Sequence, residues 1–594
     1  MCRTLSALLL LVAMLTSGCI NDSATSTNNT TPPKAHPWKR TANEVIMRVD
    51  DEPDRLNPLL ATSGYARQVM EQIFQTMVNL DPYSLELTPQ LAVARPKVEQ
   101  ITEGKFKGGL KYTFEIQPAA KWDDGIPVTA ADYIFGLKAV MIPTLKTERL
   151  RPYLQIIKDV QVDPKNPKIF SVFTAEQTFS SEEIVDGAIS VMPAHLYDEM
   201  GYLSGIPLSD FLDSRKIAKL AKENDDIKAF VRSFNSMKFS RDPQHISGSG
   251  PYKLVQWETG QKLILEKKKD WWGDALADKY PALTALPDRL IYKDVLEDAV
   301  LSSLVKSEEI DALADISPKD FLSLKENNRI EELYNFYTPE NLALYFMYLN
   351  TKDPKISDKR VRKALAHTIN IDEMIKTLLS GFGTRTATPV HPKSPYYNSD
   401  LPLIDYNLKK AKQLLTDAGW EDTNNDGTVD KMINGKRVEL IIPIQIVGKS
   451  SRQKSMVLML QDDAKQIGMG IEIVPLEFNE LKGNTRSGKY TAAIAGRTID
   501  PLNWNPIQSW HTAYDNRTGF GNAETDALIE KIMHTTDDKT RYQLYKELQA
   551  IIYDEEPEIY FFVPKGRVII HKRFDTKPTV VHPGYVPNYF KLKK

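Results

Sequence analysis

The segment from Gly248 to Asp274, GSGPYKLVQWETGQKLILEKKKDWWGD, restricts the possible folds of this chain most strongly. Gly248 and Gly250, which precede a proline, favour a tight turn, and β-forming residues cluster on either side of a Glu-Thr-Gly reversal. The pattern predicts a β-hairpin over 252–266, followed by an aromatic corner at two tryptophans. Residue patterns alone predict only this hairpin and the aromatic corner, and they do not identify a fold or a function.

Length and charge limit the class of protein. With 594 residues, of which 42% are hydrophobic and 26% charged, the chain has enough apolar residues for a large core divided among two or three lobes. Its 76 Lys and Arg residues nearly balance 78 Asp and Glu residues, so no long-range field of one sign attracts a polyanion. We therefore expect no nucleic-acid partner.

The amino terminus has the pattern of an export leader. An apolar run from Leu5 to Met14 follows one basic residue and is too short for a permanent membrane-spanning helix. Thr16-Ser17-Gly18-Cys19 resembles a bacterial lipobox, so we expect a signal peptide over 1–18 and lipidation of Cys19. A plain signal peptide with an incidental cysteine is the alternative. Cys19 is the only thiol left after cleavage, which excludes an internal disulfide.

The residues after Cys19 predict a tether. The stretch 19–38 is rich in Ser, Thr, Asn and Pro and has little apolar surface to bury. We expect it to be flexible and to hold the folded body at a membrane, with stable anchoring from more than one acyl chain.

Several motifs in chain order resemble the family 5 extracellular solute-binding proteins, the oligopeptide- and dipeptide-binding lipoproteins of ABC importers. The hairpin segment is the most specific of them. The others are DDEPDRLNPL at 50–59 with MEQIF at 70–74, AKWDDGIPVTAAD at 120–132, and the strand and helix within 344–379. The resemblance extends over most of the mature chain, from about Glu44 to Pro564.

The resemblance implies an α/β fold with two lobes, of the periplasmic-binding-protein type II, cluster C, with an additional inserted domain and a two-segment hinge. Projected onto this chain, the first lobe is 39–83, 239–337 and 553–594. The inserted domain is 84–238, and the second lobe is 338–552. The stretch Gly201–Lys238 matches no family pattern.

The resemblance also implies a function. A lipid-anchored receptor of the bacterial cell envelope, facing the periplasm or the exterior, captures peptides between two closing lobes and delivers them to ABC permease subunits. We expect a monomer without a cofactor, a resident metal or catalytic residues, since HExxH, GxSxG and Walker motifs are missing from the sequence. An extracytoplasmic hydrolase acting on peptides or glycans, or a peptide-sensing receptor on the same fold, is the alternative.

The expected ligand contacts lie in the segment AIAGRTIDPLNW, 493–504, and shortly after it. In peptide-binding members an aspartate of the second lobe holds the α-ammonium of the ligand, and Asp500 matches it; a structural cap at the following proline is the alternative. Trp504 and Trp510 are expected as pocket walls or as core residues. Arg497 and His511 are expected partners of a ligand carboxylate.

Four local patterns complete the predictions. Residues 64–80 are expected to form one helix, with Met70, Ile73, Phe74 and Met77 on its buried face. Asn407 is expected to cap a helix that ends at Gly419. The basic run Arg360, Arg362 and Lys363 is expected to be solvated. The acids Asp123 and Asp124 are expected in a solvated turn, because adjacent residues cannot flank a scissile bond.

One segment is similar to a calcium loop. Asp422, Asn424, Asp426, Gly427 and Asp430 occupy its first nine positions, but Ile433 replaces the glutamate at position twelve. A plain hairpin turn is the favoured interpretation and a calcium site is the alternative.

Overall fold

The computed structural model describes residues 38–49, 51–175, 185, 187, 189–295, 297–499, 504–535 and 537–593. The chain divides into a first unit, Met1–Ala42, and a second unit, Asn43–Lys594. The described residues of the first unit, 38–42, form no helix or strand. All described helices and strands belong to the second unit.

The strands, numbered in chain order, are β1 Glu44–Val49, β2 Val78–Leu80, β3 Leu87–Pro89, β4 Lys97–Gln100, β5 Leu110–Glu115, β6 Ile157–Val162, β7 Ile169–Thr174, β8 Tyr252–Glu258, β9 Lys262–Lys267, β10 Arg289–Asp294, β11 Ala312–Leu313, β12 Tyr334–Tyr337, β13 Ala343–Leu349, β14 Gly383–Arg385, β15 Asp430–Ile433, β16 Lys436–Glu439, β17 Ile441–Val447, β18 Gly470–Leu476, β19 Ala492–Thr498, β20 Glu558–Pro564, β21 Val568–His571, β22 Phe574–Asp575 and β23 Lys591–Leu592.

The described α-helices are Gly64–Met70, Ala130–Met141, Arg151–Leu154, Ala194–Tyr197, Leu208–Leu212, Ser214–Glu223, Asp225–Phe234, Lys238–Arg241, Asp298–Lys306, Pro318–Lys325, Asn328–Leu333, Lys359–Thr368, Ile371–Leu379, Leu408–Asp417, Ser451–Gln466, Phe478–Ser487, Ile507–Trp510, Ala523–His534 and Asp538–Glu555. Short 3-10 turns lie at Asp274–Leu276, Pro281–Leu283 and Pro587–Tyr589.

A seven-stranded sheet has the order β12-β21-β11-β1-β10-β9-β8. β1 pairs in parallel with β10 and β11, and the other neighbours are antiparallel. β8 and β9 form the predicted hairpin, with Glu258 opposite Lys262. Gly260 in the turn has φ +67°, a left-handed conformation that glycine adopts without steric cost.

A six-stranded sheet has the order β14-β20-β13-β19-β17-β18. β17 is parallel to β18 and β19, whereas β13 is antiparallel to β19 and β20. Separate hydrophobic clusters cover the two faces of this sheet. Ile442 and Ile444 lie in one cluster, and Leu344 and Phe346 lie in the other. Burial on both faces explains why these strands are almost continuously apolar.

Residues 84–238 contain a third sheet, which is four-stranded and antiparallel in the order β4-β5-β7-β6. Its hydrophobic core is continuous with that of the seven-stranded sheet. The stretch 201–238 is largely helical, and its Phe230 and Phe234 pack edge-on against Phe135 at centroid distances of 5.9 and 6.4 Å. These aromatic contacts attach the stretch to the core of the inserted segment.

The prediction of one helix over 64–80 is wrong. The helix ends at Met70, and Val78–Leu80 is a strand of a two-stranded sheet with β3. The apolar residues of the predicted face are nevertheless buried in the core, namely Met70, Ile73, Phe74 and Met77. Their burial therefore came from tertiary packing and not from a continuous helix.

The glycines of the hairpin segment explain the early end of that helix. The N–H of Gly250 donates to the carbonyl oxygen of Ile73 at 2.8 Å, and that of Tyr252 donates to Gln72 at 3.1 Å. These carbonyl groups are therefore engaged with another part of the chain. A Cβ at Gly248 would lie only 2.2 Å from the Ile73 oxygen, so glycine is required for this main-chain approach.

Two further helix predictions have different outcomes. Asn407 caps the helix Leu408–Asp417 by accepting from the N–H of Lys410 at 2.9 Å, and Gly419 follows at φ +78°, which confirms that prediction. The prediction of a solvated basic run is wrong for Arg362, which is buried. Its guanidinium donates to main-chain oxygens of Ile356, Ser357 and Glu555, and so joins two helices.

Candidate functional site

The carboxyl ends of the parallel strands in the seven-stranded sheet meet at one edge. β1 ends at Val49 beside Asp294 of β10, and β11 ends at Leu313. β12 ends at this same edge, at Tyr337, and its antiparallel neighbour β21 begins there, at Val568.

The six-stranded sheet repeats this arrangement. Its parallel strands β17, β18 and β19 end at one edge, and the last residue of β19, Thr498, lies opposite Ala343 at the start of β13. β20 also ends there, at Pro564.

Two short connections join these edges. One runs from Tyr337 to Ala343 and the other from Pro564 to Val568. They are bonded to each other, since Asn341 N–H donates to Pro564 O and Gly566 N–H donates to Pro339 O, both at 2.8 Å. Ligands of open α/β sheets bind outside the carboxyl ends of the strands. The region between the two joined edges is therefore the candidate site.

On the seven-stranded side, His582 and Asp315 lie at this edge. The Nε2 atom of His582 is 3.2 Å from Oδ2 of Asp315, and its Nδ1 atom is 2.9 Å from Nε2 of Gln68. Desolvation acts to raise the pKa of Asp315, but the hydrogen bond and charge of His582, helped by Arg567 and Arg48, hold that pKa below its usual value. Asp315 is therefore an ionised acceptor.

On the six-stranded side, Arg497 of β19 forms a bidentate pair with Glu558 of β20, with N–O distances of 2.8 and 3.2 Å. Its guanidinium lies over the ring of Phe346, 4.3 Å from the centroid. Burial acts to lower the pKa of Arg497, but the adjacent carboxylate of Glu558 more than offsets this and raises it. The Glu558 side chain is only 1% exposed, and Arg497 is the main group that favours its charged form, with smaller contributions from Tyr560 and Arg517.

Two other predicted contacts, Trp504 and Trp510, lie in the hydrophobic cluster beside helices 523–534 and 538–555, and His511 follows Trp510 in the chain. Trp504 packs on Tyr545 at 5.4 Å and is partly buried. Trp510 is fully buried and edge-on to Phe520 at 5.9 Å. His511 is nearly buried, with its ring nitrogens 3.8 and 3.5 Å from Asp526 and Glu530.

Two predicted residues lie outside the described part of the chain. They are the expected ammonium anchor, Asp500, and the expected lipidation site, Cys19. Arg497 precedes the last residue of β19 at the candidate edge, but its guanidinium is paired with Glu558 at the start of β20, the end of that strand away from Pro564, while Trp510 is enclosed by protein. The binding roles of Trp504, Trp510, Arg497 and His511 stay predictions.

No sequence pattern indicated Glu558, Gln68, Asp315 or His582. Gln68 and His582 are 514 positions apart, and a single histidine near the end of a chain has no spacing that indicates a partner. The acid of an Arg–Glu pair on two strands of one sheet, here with β13 between them, is likewise visible only once the strand order is known.

The two acidic segments have structural partners. Asp123 pairs with Lys268 at 2.6 Å, and Asp124 with His195 at 2.6 Å, both in an exposed turn. In the calcium-like segment, the buried carboxylate of Asp430 accepts from Arg437 at 2.8 Å. Within the described ranges, no group of three or more His, Cys, Asp or Glu side chains is arranged to hold a metal ion.

Among the residues with described structure, no helix is both long and apolar enough to cross a bilayer.

An α/β chain with two mixed sheets whose carboxyl edges are joined by two short connections has the fold of the type II periplasmic binding proteins. The sequence profile of the bacterial extracellular solute-binding proteins, family 5, matches residues 55–520, and the chain belongs to this family. Members of the family are binding proteins and not enzymes, and they lie in the periplasm or outside the cell.

Individual relatives support the assignment across the chain. The oligopeptide-binding protein AppA of Bacillus subtilis (strain 168) is 23% identical over 578 residues, which is 96% of this chain and 94% of AppA. The unliganded open form of the periplasmic murein tripeptide-binding protein MppA has a TM-score of 0.73 at 15% identity, with 93% and 98% covered. The ABC transporter substrate-binding protein CtaP of Listeria monocytogenes has a TM-score of 0.66 at 19% identity, with 93% and 100% covered.

Proposed function

We propose that this protein is the substrate-binding component of an ABC importer and that it captures peptides between its two lobes. The proposal rests on one observation: the carboxyl edges of the two sheets are joined by two short connections that are hydrogen-bonded to each other. The names of AppA and MppA, which refer to oligopeptides and a murein tripeptide, favour peptides as the ligand class. The name of CtaP favours delivery to a membrane permease.

We propose to assign the lobes by sheet membership. The first lobe consists of the seven-stranded sheet with 84–238 as an insertion, and the second consists of the six-stranded sheet. The projected second lobe ended at Ile552, but Glu558–Pro564 pairs with β13. We therefore place the second crossing at 565–567.

Closure of the lobes supplies the mechanism. A ligand that contacts both edges only when the connections bend stabilises the closed form in proportion to its difference in affinity for the two forms. Hydrolysis has no part in this cycle, and the peptide leaves unaltered. Extended peptides can bind through main-chain hydrogen bonds to strand ends, while pockets accept different side chains.

Charged ligand ends need fixed partners. Asp500 is the proposed partner of the α-ammonium group. Arg497 is already paired with Glu558, so a ligand carboxylate at Arg497 has to share the guanidinium with a buried acid. Trp504 and His511 are proposed to contribute around this anchor, whereas Trp510 is a core residue.

The proposed location is the cell envelope, with the body tethered through lipidated Cys19 and the segment 19–38. Metabolic labelling with a radioactive fatty acid tests this part separately. Label should enter the wild-type protein and not Cys19→Ser, whereas equal labelling of both would contradict it.

Native mass spectrometry of the protein purified from cells tests the function. We expect one or more adducts with peptide masses that are lost on denaturation and are restored by adding back the same intact peptides. Adducts of a non-peptide class would overturn the ligand assignment. Conversion of added peptides to fragments by the purified protein would overturn the transport assignment.

A further inference from the structure

The turn before β14, in the second lobe, lies directly beside the second crossing. Ser380 and Gly381 reverse the chain there with left-handed φ values of +52° and +83°, and Phe382 follows them. The N–H of Lys565, the first residue of the crossing, donates to the carbonyl oxygen of Phe382 at 3.0 Å. The main chain of Phe382 is therefore fixed to the crossing itself.

The ring of Phe382 packs against the first lobe. It lies edge-on to Phe321 of helix Pro318–Lys325, with a centroid distance of 5.5 Å and an interplanar angle of 88°. Phe321 is buried and lies edge-on to Phe336 of β12 at 5.3 Å. The cluster around Phe321 includes residues of β11, β12 and β21, which are all strands of the seven-stranded sheet.

Arg567, at the first-lobe end of the crossing, contacts the same ring. Its guanidinium carbon is 5.6 Å from the ring centroid of Phe382. Its Nε atom donates to the main-chain oxygen of Ile316, and its own carbonyl oxygen accepts from the N–H of Asp315 at 3.0 Å. Phe321 and Arg567 are thus both held by the first lobe, and we call their packing on Phe382 the Phe382 contact.

The Phe382 contact joins the hydrophobic packing of the two lobes. The clusters on the two faces of the six-stranded sheet consist of second-lobe residues. Within the described ranges, Phe382 is the one second-lobe residue that packs in a hydrophobic cluster of the first lobe. A contact beside the crossings is close to the axis of a hinge, so rotation displaces it little. Sliding or twisting of one lobe against the other would separate the ring from Phe321.

We propose that Phe382 is a positioning residue for lobe closure, because its ring permits rotation at the crossings and opposes sliding of the lobes. The inference rests on the proposed function and adds a guide for the movement to it. A free protein restricted in this way is more often in an arrangement from which it can close, and apparent affinity falls with the fraction of competent molecules. Loss of an aromatic pair corresponds to a factor of about 2- to 12-fold.

Distances between spin labels test the guide without any added ligand. Labels at Leu286→Cys in the first lobe and Leu403→Cys in the second report the lobe arrangement by pulsed electron paramagnetic resonance, in a full chain whose two native cysteines are replaced by serine. Ligand is first removed by unfolding in urea and refolding. Phe382→Ala should broaden the distance distribution of wild type, and Phe382→Leu, which keeps apolar bulk without a ring, should broaden it less.

Met432→Ala is the matched control, because Met432 is an exposed apolar residue of the second lobe, in the hairpin of β15 and β16. It should leave the distribution unaltered. A distribution for folded Phe382→Ala that is as narrow as that of wild type would overturn the inference.

A double-variant cycle separates guidance from general loosening of the core. Phe321→Leu removes the partner ring on the first-lobe side and should also broaden the distribution. Phe382→Ala combined with Phe321→Leu should be about as broad as Phe382→Ala alone, because both substitutions remove the same contact. Additive broadening would contradict a shared contact.

Calorimetric titration with trialanine, tetraalanine and pentaalanine connects the Phe382 contact with binding. Phe382→Ala should bind each peptide that wild type binds about 2- to 12-fold more weakly, and Met432→Ala should bind it equally well. Unchanged or higher affinity of Phe382→Ala would refute the role in closure. If wild type binds none of these peptides and carries none when purified, the proposed peptide function fails, and the label distances still decide the role of Phe382.

Discussion

The pair formed by Arg497 and Glu558 allows the most quantitative prediction. Arg497→Met removes the bidentate partner and leaves a carboxyl that is 1% exposed within the cluster around Phe346. Loss of one partner from a buried pair costs about 3–5 kcal/mol of folding free energy. Protonation of Glu558 limits the loss, because burial already raises the pKa of this carboxyl.

The reverse substitution should cost less. Glu558→Gln leaves a guanidinium whose side chain is 24% exposed and can be hydrated in part, so we expect a loss of about 1–3 kcal/mol. The double variant Arg497→Met, Glu558→Gln has no unpaired charge and should be more stable than the sum of the single losses predicts, by about 1–3 kcal/mol.

Urea unfolding of the four proteins, followed by circular dichroism, measures this coupling. Arg452→Met is the matched control, because Arg452 is exposed and lies over the ring of Tyr345, and it should cost less than about 0.5 kcal/mol. Additive losses in the double variant, or single losses no larger than that of the control, would refute the account of a coupled buried pair.

Three further predictions concern stability. Burial raises the pKa of Glu556 from 4.5 to about 8, so its contribution to stability falls by about 3–5 kcal/mol as pH rises from about 4.5 to 8. Urea titrations across this pH range should show that Glu556→Gln abolishes the fall. Burial lowers the pKa of His391 from 6.5 to about 4, so protonation favours the unfolded chain and up to about 3 kcal/mol of stability is lost as pH falls from about 6.5 to 4. Unfolding at pH 5 should show a smaller loss for His391→Gln, and the same dependence of stability on acid pH in both proteins would contradict this. Gly248→Ala places a Cβ against the Ile73 carbonyl and should lower stability by at least about 1–3 kcal/mol in thermal melts, whereas Gly64→Ala, at a position with open space around it, should not.

Local predictions succeeded where the determining groups are close in sequence. The Glu-Thr-Gly reversal specifies the β8–β9 hairpin because its strands adjoin it, and Asn407 needs only the N–H of Lys410 to cap its helix. The periodicity of 64–80 indicated which residues are buried but not the end of the helix. That end depends on hydrogen bonds to the Gly248–Tyr252 segment, which lies far along the chain.

The same limit applies to the site. Arg497 was identified in its segment, but Glu558, 61 residues away, could not be predicted as its partner because the order of β19, β13 and β20 was unknown. Arg362 looks like one of several charges on a helix surface. Its burial follows from main-chain oxygens at the end of a helix more than 190 positions later.

A distance between the lobes tests the central claim most directly. The two native cysteines are at positions 2 and 19, so a form that begins after Cys19 can carry spin labels solely at Leu286→Cys in the first lobe and Leu403→Cys in the second, both at exposed positions. Pulsed electron paramagnetic resonance on this form, with a saturating amount of a peptide that binds it, should show the distribution of label distances shift and narrow to a closed population. An unchanged distribution at saturation would contradict capture by closure of two lobes.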